Sequence, residues 1–276
     1  MKNKYILPIL LLFLFSKCEK VVDVEVPSTT PKLIIDASFQ IFFDESPVTA
    51  ETVVKLRLSA DYFDESIPTV TNASVFLTNL SNGNIINFND ANLDGDYEPT
   101  NSFIPEENTT YELTVVYDNE TYKATAARVK STPLTNVIQG DETLFSGEET
   151  EIQIFFTDDG SIDNYYVFDF SNAIFLALED RFFNGADYSF SSFYQEDEIE
   201  LPTTVTIKMS GVSKEYYNYF NILIDQSGQN AGGPFESVPS SLLGNVINTT
   251  NEDNFPLGYF QISETDTFTL DLVEKD

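Results

Sequence analysis

The chain has 276 residues, with 14 Lys+Arg against 45 Asp+Glu and a formal charge of -31, which excludes the basic face that nucleic-acid binding requires. It has no His and one Cys, so His-based nucleophile systems, His-ligated zinc and an intramolecular disulfide are excluded as well. At 42% hydrophobic and 14% aromatic residues it still carries enough apolar surface to build a core.

Residues 1–18 read as a bacterial export signal. Lys2 and Lys4 form a charged start, and Ile6 to Phe15 is an apolar run interrupted by Pro8. The run is shorter than the ~20 apolar residues that span a bilayer. Cys18 follows directly, the placement of a lipoprotein signal whose thiol is acylated, although Lys17 stands where such signals carry a small residue. Each buried acyl CH₂ contributes ~0.8 kcal/mol, so several acyl chains on one Cys anchor firmly. Residues 19–31 read as a tether: Glu19, Asp23 and Glu25 lie among valines, and Pro27-Ser28-Thr29-Thr30-Pro31 follows.

From Lys32 onward the pattern is strand. Lys32–Phe39 is the first. In Val53–Ser59, residues Val54, Leu56 and Leu58 face one side and Lys55 and Arg57 the other. Ala73, Val75 and Leu77 alternate with polar neighbours, Asn82-Gly83 makes a hairpin turn, and Ile85–Phe88 returns. Tyr111, Leu113, Val115 and Tyr117 form another one-sided strand, which Asp118-Asn119 turns back into Tyr122–Arg128. This spacing predicts a β-sandwich over residues 32–131. Ser131-Thr132-Pro133 marks a boundary, and residues 132–276 form a second β-rich domain. Its predicted strands are Glu151–Thr157, Tyr165–Phe170, Thr203–Met209, Leu257–Ile262 and Thr267–Leu272. One helix near residues 214–226 is predicted, capped by Ser213 and stopped by Gly228 and Gly232-Gly233-Pro234. Its stripe of Tyr219, Phe220 and Leu223 is expected to face the second domain's sheet. The predicted fold is mainly all-β, with two sandwich-like domains.

Three clusters are candidate sites. Asp90, Asn92, Asp94, Gly95 and Asp96 match the first half of a calcium loop, but Asn101 stands where a bidentate Glu belongs. The other reading is an acidic turn with Asp94-Gly95 at its tip; no cofactor is expected, and calcium here is the one candidate. Glu196, Asp197, Glu198 and Glu200 are too close in sequence to face one another as a glycosidase pair and read as a solvated face. The aromatic segment Arg181, Phe182, Phe183, Tyr188, Phe190, Phe193 and Tyr194 lies among Gly and Ser residues. It reads either as an exposed recognition loop or as rings filling a core; some exposed rings are expected to form a partner or ligand contact.

Several runs in order carry a family resemblance: Cys18-Glu19-Lys20 leading to Pro31-Lys32-Leu33-Ile34-Ile35, Ala73-Ser74-Val75, Gly95-Asp96-Tyr97 and Thr110-Tyr111-Glu112-Leu113. Asp180-Arg181-Phe182-Phe183-Asn184-Gly185, Glu215-Tyr216-Tyr217, Pro234-Phe235, Gly244-Asn245-Val246 and Leu257-Gly258-Tyr259-Phe260 complete the set. Together they resemble the DUF4249 family of Bacteroidota outer-membrane lipoproteins. The first domain is also similar to Ig-like and transthyretin-like sandwiches, which are not enzymes. The resemblance implies no catalytic activity. It implies a lipid-anchored, outer-membrane and surface-exposed place for the chain, because the acidic residues after Cys18 resemble surface-export signals. It also implies a role as accessory or binding partner of a TonB-dependent transporter. The alternative is a free-standing glycan- or peptide-binding surface lipoprotein.

Overall fold

Alternation explains most of the strands. In β1 (Leu33–Phe42) Leu33, Ile35, Ala37, Phe39 and Ile41 are buried, while Ile34, Asp36, Ser38 and Gln40 point the other way, because successive strand side chains leave opposite faces. The computed structural model describes residues 30–61, 64, 66–144, 146–227 and 242–274. Cys18, the export signal, the tether up to residue 29 and the predicted helix stop at Gly228 and Gly232-Gly233-Pro234 lie outside the described residues.

After β1 come β2 (Thr49–Glu51), β3 (Val54–Leu58), β4 (Ser74–Asn79), β5 (Ile85–Asn89), β6 (Asp96–Pro99), β7 (Thr110–Tyr117) and β8 (Glu120–Val129). They are followed by β9 (Leu134–Gln139), β10 (Thr150–Thr157), β11 (Tyr165–Asp169), β12 (Phe175–Glu179), β13 (Asp187–Tyr194) and β14 (Thr203–Val212). Helix α1 (Lys214–Gln226), β15 (Ile247–Asn248) and β16 (Leu257–Leu272) complete the order. The protein is mainly β, as predicted, with one α-helix among the described residues. Asp118 and Asn119 both take positive φ, 49° and 62°, in the tight turn that joins β7 to β8.

Two cores form. The first lies inside a closed hydrogen-bonding circuit: β16 pairs with β1, the path continues through β3, β6, β5, β4, β7 and β8, and β8 returns to β16 at Ile262 and Ser263. Phe39, Leu56, Leu77, Leu113 and Val115 fill it. The second core lies between β12-β11-β14-β16 and the three-stranded sheet β13-β10-β9, where Tyr166, Phe168 and Ile207 meet Ile152, Ile154 and Phe156. Ser131-Thr132-Pro133 falls between the strands of the two cores, yet the cores do not follow two contiguous spans. Val246, Phe260 and Ile262 join the first core.

β16 links them. Residues Leu257–Thr265 run parallel to β1, and Thr265–Leu272 run antiparallel to β14. The sequence predicts two strands here, split by the polar run Ser263-Glu264-Thr265-Asp266. The structure makes one strand of 16 residues, and all four polar residues are buried. Buried polar groups persist where they are partnered, and these are. Glu264 pairs with Arg128 at 2.8 Å and accepts from Ser131 N at 3.2 Å. Thr265 Oγ1 bonds Ser210 Oγ at 2.8 Å. Asp266 accepts from Leu134 N at 2.6 Å, and burial raises its pKa despite that bond. The crossing segment from β8 to β9 is thereby held by two carboxylates of β16.

Candidate functional site

The site begins with the cap of α1. Ser213 has extended backbone, and its side chain accepts from Tyr216 N at 3.1 Å, satisfying one of the free amides of the first turn. From there the aromatic stripe divides into two rows, because residues four apart stand one above the other. The row Tyr216, Phe220 and Ile224 is seated: Tyr216 and Ile224 are buried, and Tyr216 packs with Val167 of β11 and Val212 of β14, on the face of that sheet away from the second core. Phe220 is half-buried against Phe175, with ring centroids 5.6 Å apart.

The neighbouring row differs from the expectation that Tyr219, Phe220 and Leu223 all face that sheet. Tyr219 is half-buried and Leu223 is 39% exposed. The strands beneath, β11 and β12, have only five residues each. A helix of 13 residues overhangs them, and its second row turns toward β1 and β16.

A groove of about 1100 Å³ runs under this overhang. Its floor is the outward face of β1, with Ile34, Asp36, Ser38 and Gln40, beside Tyr259 and Gln261 of β16. Alternation places these side chains there, since their neighbours fill the first core. The wall is aromatic. Tyr259 lies 5.0 Å from Tyr216 and 4.9 Å from Tyr219 between ring centroids. Asp36 is exposed in the floor and accepts from Ser38 Oγ at 3.0 Å. Burial raises the Tyr216 phenol, with the Asp36 charge adding to it against a Ser38 hydrogen bond. Burial and then Asp36 push Tyr219 up to about 12. Both phenols therefore stay protonated near neutral pH and are able to donate hydrogen bonds to a ligand. Rings over a polar floor are the composition of a ligand site.

The aromatic segment is mostly core. Residues Asp187–Tyr194 form β13, paired with β10 along its length, which favours the core-filling reading of these rings over the exposed recognition loop. Phe183 and Tyr194 are buried in the second core, and the Tyr194 hydroxyl donates to Phe170 O. Tyr188 stacks on Phe183 at 3.9 Å, and Phe190 meets Phe168 at 5.1 Å. Phe193 is half-buried on the opposite face. Only Phe182 of these rings stands out, 87% exposed, with the Arg181 guanidinium 5.4 Å from its ring centre. The period-2 spacing of Tyr188, Phe190 and Tyr194 among serines is a strand signal, which the Gly/Ser-rich composition obscures.

The acidic turn uses its carboxylates internally. Asp90 accepts from Asp94 N at 3.1 Å and from Gly95 N at 2.8 Å, and Asp94 accepts from Asp96 N at 3.0 Å. Asp96 pairs with Arg57 at 2.5 Å, and Asn92 is exposed. Gly95 has φ +81°, and a Cβ there would lie 2.5 Å from Arg57 Nη1. Among the described residues no group of three His, Cys, Asp or Glu side chains is placed to hold a metal ion. Glu196, Asp197, Glu198 and Glu200 are all exposed.

Sequence reasoning missed Asp36, Tyr259 and the groove itself. Their one signal was the polar face of the first strand, which reads equally well as solvent-facing.

Residues 19–269 match the model of a family described as a domain of unknown function, DUF4249. No curated protein matches the chain. Among solved structures it is similar to a DUF4785 family protein from Legionella pneumophila subsp. pneumophila str. Philadelphia 1, at 12% identity and TM-score 0.23. That alignment covers 65% of this chain and 51% of the Legionella chain. A second is the chicken interferon gamma receptor alpha chain, at 11% identity and TM-score 0.18, covering 67% of this chain and 90% of the receptor chain.

Proposed function

The chain belongs to the DUF4249 family, and from that premise we propose that it is a non-catalytic binding lipoprotein of the outer membrane, an accessory of a TonB-dependent transporter. Cys18 supplies the anchor, and residues 19–31 the reach. The groove beside α1 carries the reading: about 1100 Å³ of aromatic wall over a polar floor, with phenols that remain neutral. A tethered body that retains a ligand beside a transporter raises its local concentration there. No helix of the described residues is long and apolar enough to cross a membrane, so in this reading the lipid does the holding.

The alternative is a free-standing glycan- or peptide-binding lipoprotein. It is favoured by one observation: the tyrosine rings over the polar floor offer a surface on which a sugar ring or a peptide side chain can stack. The test is purification of the native lipoprotein from its own membranes in detergent, with peptide mapping of co-purified proteins and native mass spectrometry of the chain. A TonB-dependent transporter in the wild-type preparation, with a bound ligand mass that Tyr219→Ala loses, is the expected result. The ligand mass without any transporter selects the alternative. Absence of both rejects the groove as a functional site.

A further inference from the structure

We infer that the groove takes an extended peptide segment bearing a basic side chain, with its cation at Asp36 and its stem or guanidinium on the tyrosine rings. This rests on the groove being a ligand site, and it adds the class of ligand.

The first ground is charge. Asp36 is exposed in the groove floor, and its one hydrogen bond among the described residues comes from the neutral Ser38 hydroxyl. The ion pairs Arg57–Asp96, Lys123–Glu112, Arg128–Glu264 and Lys130–Glu107 do not involve Asp36. Lys55 stands opposite Asp36 across the β1–β3 pairing and is exposed, with no ion pair to it among the described residues, and the other two nearby lysines are engaged. Lys32 sits 4.3 Å over the Phe255 ring and bonds Asn254 Oδ1 at 3.3 Å. Lys208 donates to Gln40 Oε1 at 3.0 Å. A second carboxylate, Asp169, also lines the groove. In a chain of charge -31 the long-range field favours the approach of cations over anions.

The second ground is the rings. Tyr216, Tyr219 and Tyr259 form one cluster at 4.9 to 6.0 Å between centroids, and Asp36 is close enough to act on the phenols of Tyr216 and Tyr219. Aromatic faces next to a carboxylate favour a cation twice, through the ring quadrupole and through the ion pair. A guanidinium satisfies both, since it stacks flat and presents a fork of donors.

The third ground is shape. The floor follows β1 from Lys32 to Gln40, roughly 26 Å at ~3.3 Å per residue. A run of that length suits an extended chain of about eight residues better than a compact cofactor.

The test uses full-length protein in detergent, immobilised, and two octapeptide libraries that differ only at a fixed central position: Arg, or its uncharged isostere citrulline. The Arg library should be retained about tenfold better. Asp36→Asn should bring the two libraries to parity with an unchanged melting temperature, because Asp36 is exposed. Tyr219→Ala should lower retention of the Arg library, and added salt should do the same. Equal retention of both libraries by the wild type overturns the inference, as does an Arg preference that survives Asp36→Asn. Retention of a neutral oligosaccharide such as cellopentaose, with neither peptide library held, overturns the peptide class while leaving the groove as a ligand site. Failure of every probe also overturns the inference; the groove itself is then judged by the bound mass and its loss in Tyr219→Ala.

Discussion

Replacing Arg128 with Met removes one half of a buried ion pair at the point where both cores meet. The side chains of Arg128 and Glu264 are 12% and 8% exposed. Glu264 accepts from Arg128 Nε at 2.9 Å and Nη2 at 2.8 Å, and from Ser131 N at 3.2 Å. Without the guanidinium the carboxylate stays buried with the Ser131 amide as its one remaining donor among the described residues. Breaking a buried pair from one side costs about 3–5 kcal/mol, and that is the expected loss for Arg128→Met. Adding Glu264→Gln removes the stranded charge yet keeps an acceptor for Ser131 N. The double variant is therefore expected to recover most of the loss, a coupling that a double-mutant cycle measures. Denaturant unfolding followed by circular dichroism and tyrosine fluorescence is the assay. Because β16 belongs to both cores, the two probes should report one coincident transition. A loss under about 1 kcal/mol for Arg128→Met, against that expectation, would refute the claim that the pair is sealed from water. Two separated transitions would refute the claim that β16 couples the cores.

Phe183→Ala should cost about 3–5 kcal/mol, since the ring is buried against Phe156 and Tyr188; Phe182→Ser should stay within about 0.5 kcal/mol. The reverse order in thermal melts would exchange their assigned places. The acid limb of stability should depend on Glu149 and Glu120. Backbone amides led by Ser146 hold Glu149 down to about 2, and Tyr122 followed by Asn254 does the same for Glu120. Depressed carboxylates stabilise the fold above their unfolded pKa of about 4.5, and that contribution is lost as pH falls toward about 2. Burial raises Asp180 and Asp266 instead, so protonating them on acidification works in the opposite direction. Glu149→Gln and Glu120→Gln should therefore flatten the wild-type decline between pH 4.5 and 2, and an unchanged acid midpoint would contradict this. Cys18→Ala should move the protein out of the membrane fraction; unchanged membrane association and mass would refute the lipid anchor.

The strand class was legible because it rests on local alternation. Val54 and Leu56, Val75 and Leu77, and Tyr111, Leu113 and Val115 declare a buried face by period alone, and each is buried. The same holds for Ser213, whose capping role needs only the next three residues. What stayed hidden depends on partners distant in the chain. The polar run Ser263–Asp266 reads as a break until Arg128, Ser131, Leu134 and Ser210 are brought to it. The rings of β13 read as surplus until β10 supplies an edge to pair with and a core to fill. The groove is the extreme case. Asp36 lies on the solvent face of the first strand by every local criterion, and Tyr219 is one turn along an ordinary amphipathic helix. They share a site only because β16 lies beside β1 and carries β14 on its other edge, which sets the overhanging helix beside that polar face. Periodicity determines which way a side chain leaves its own strand or helix; what it then meets is decided by pairing across more than a hundred residues, and that only the tertiary structure supplies.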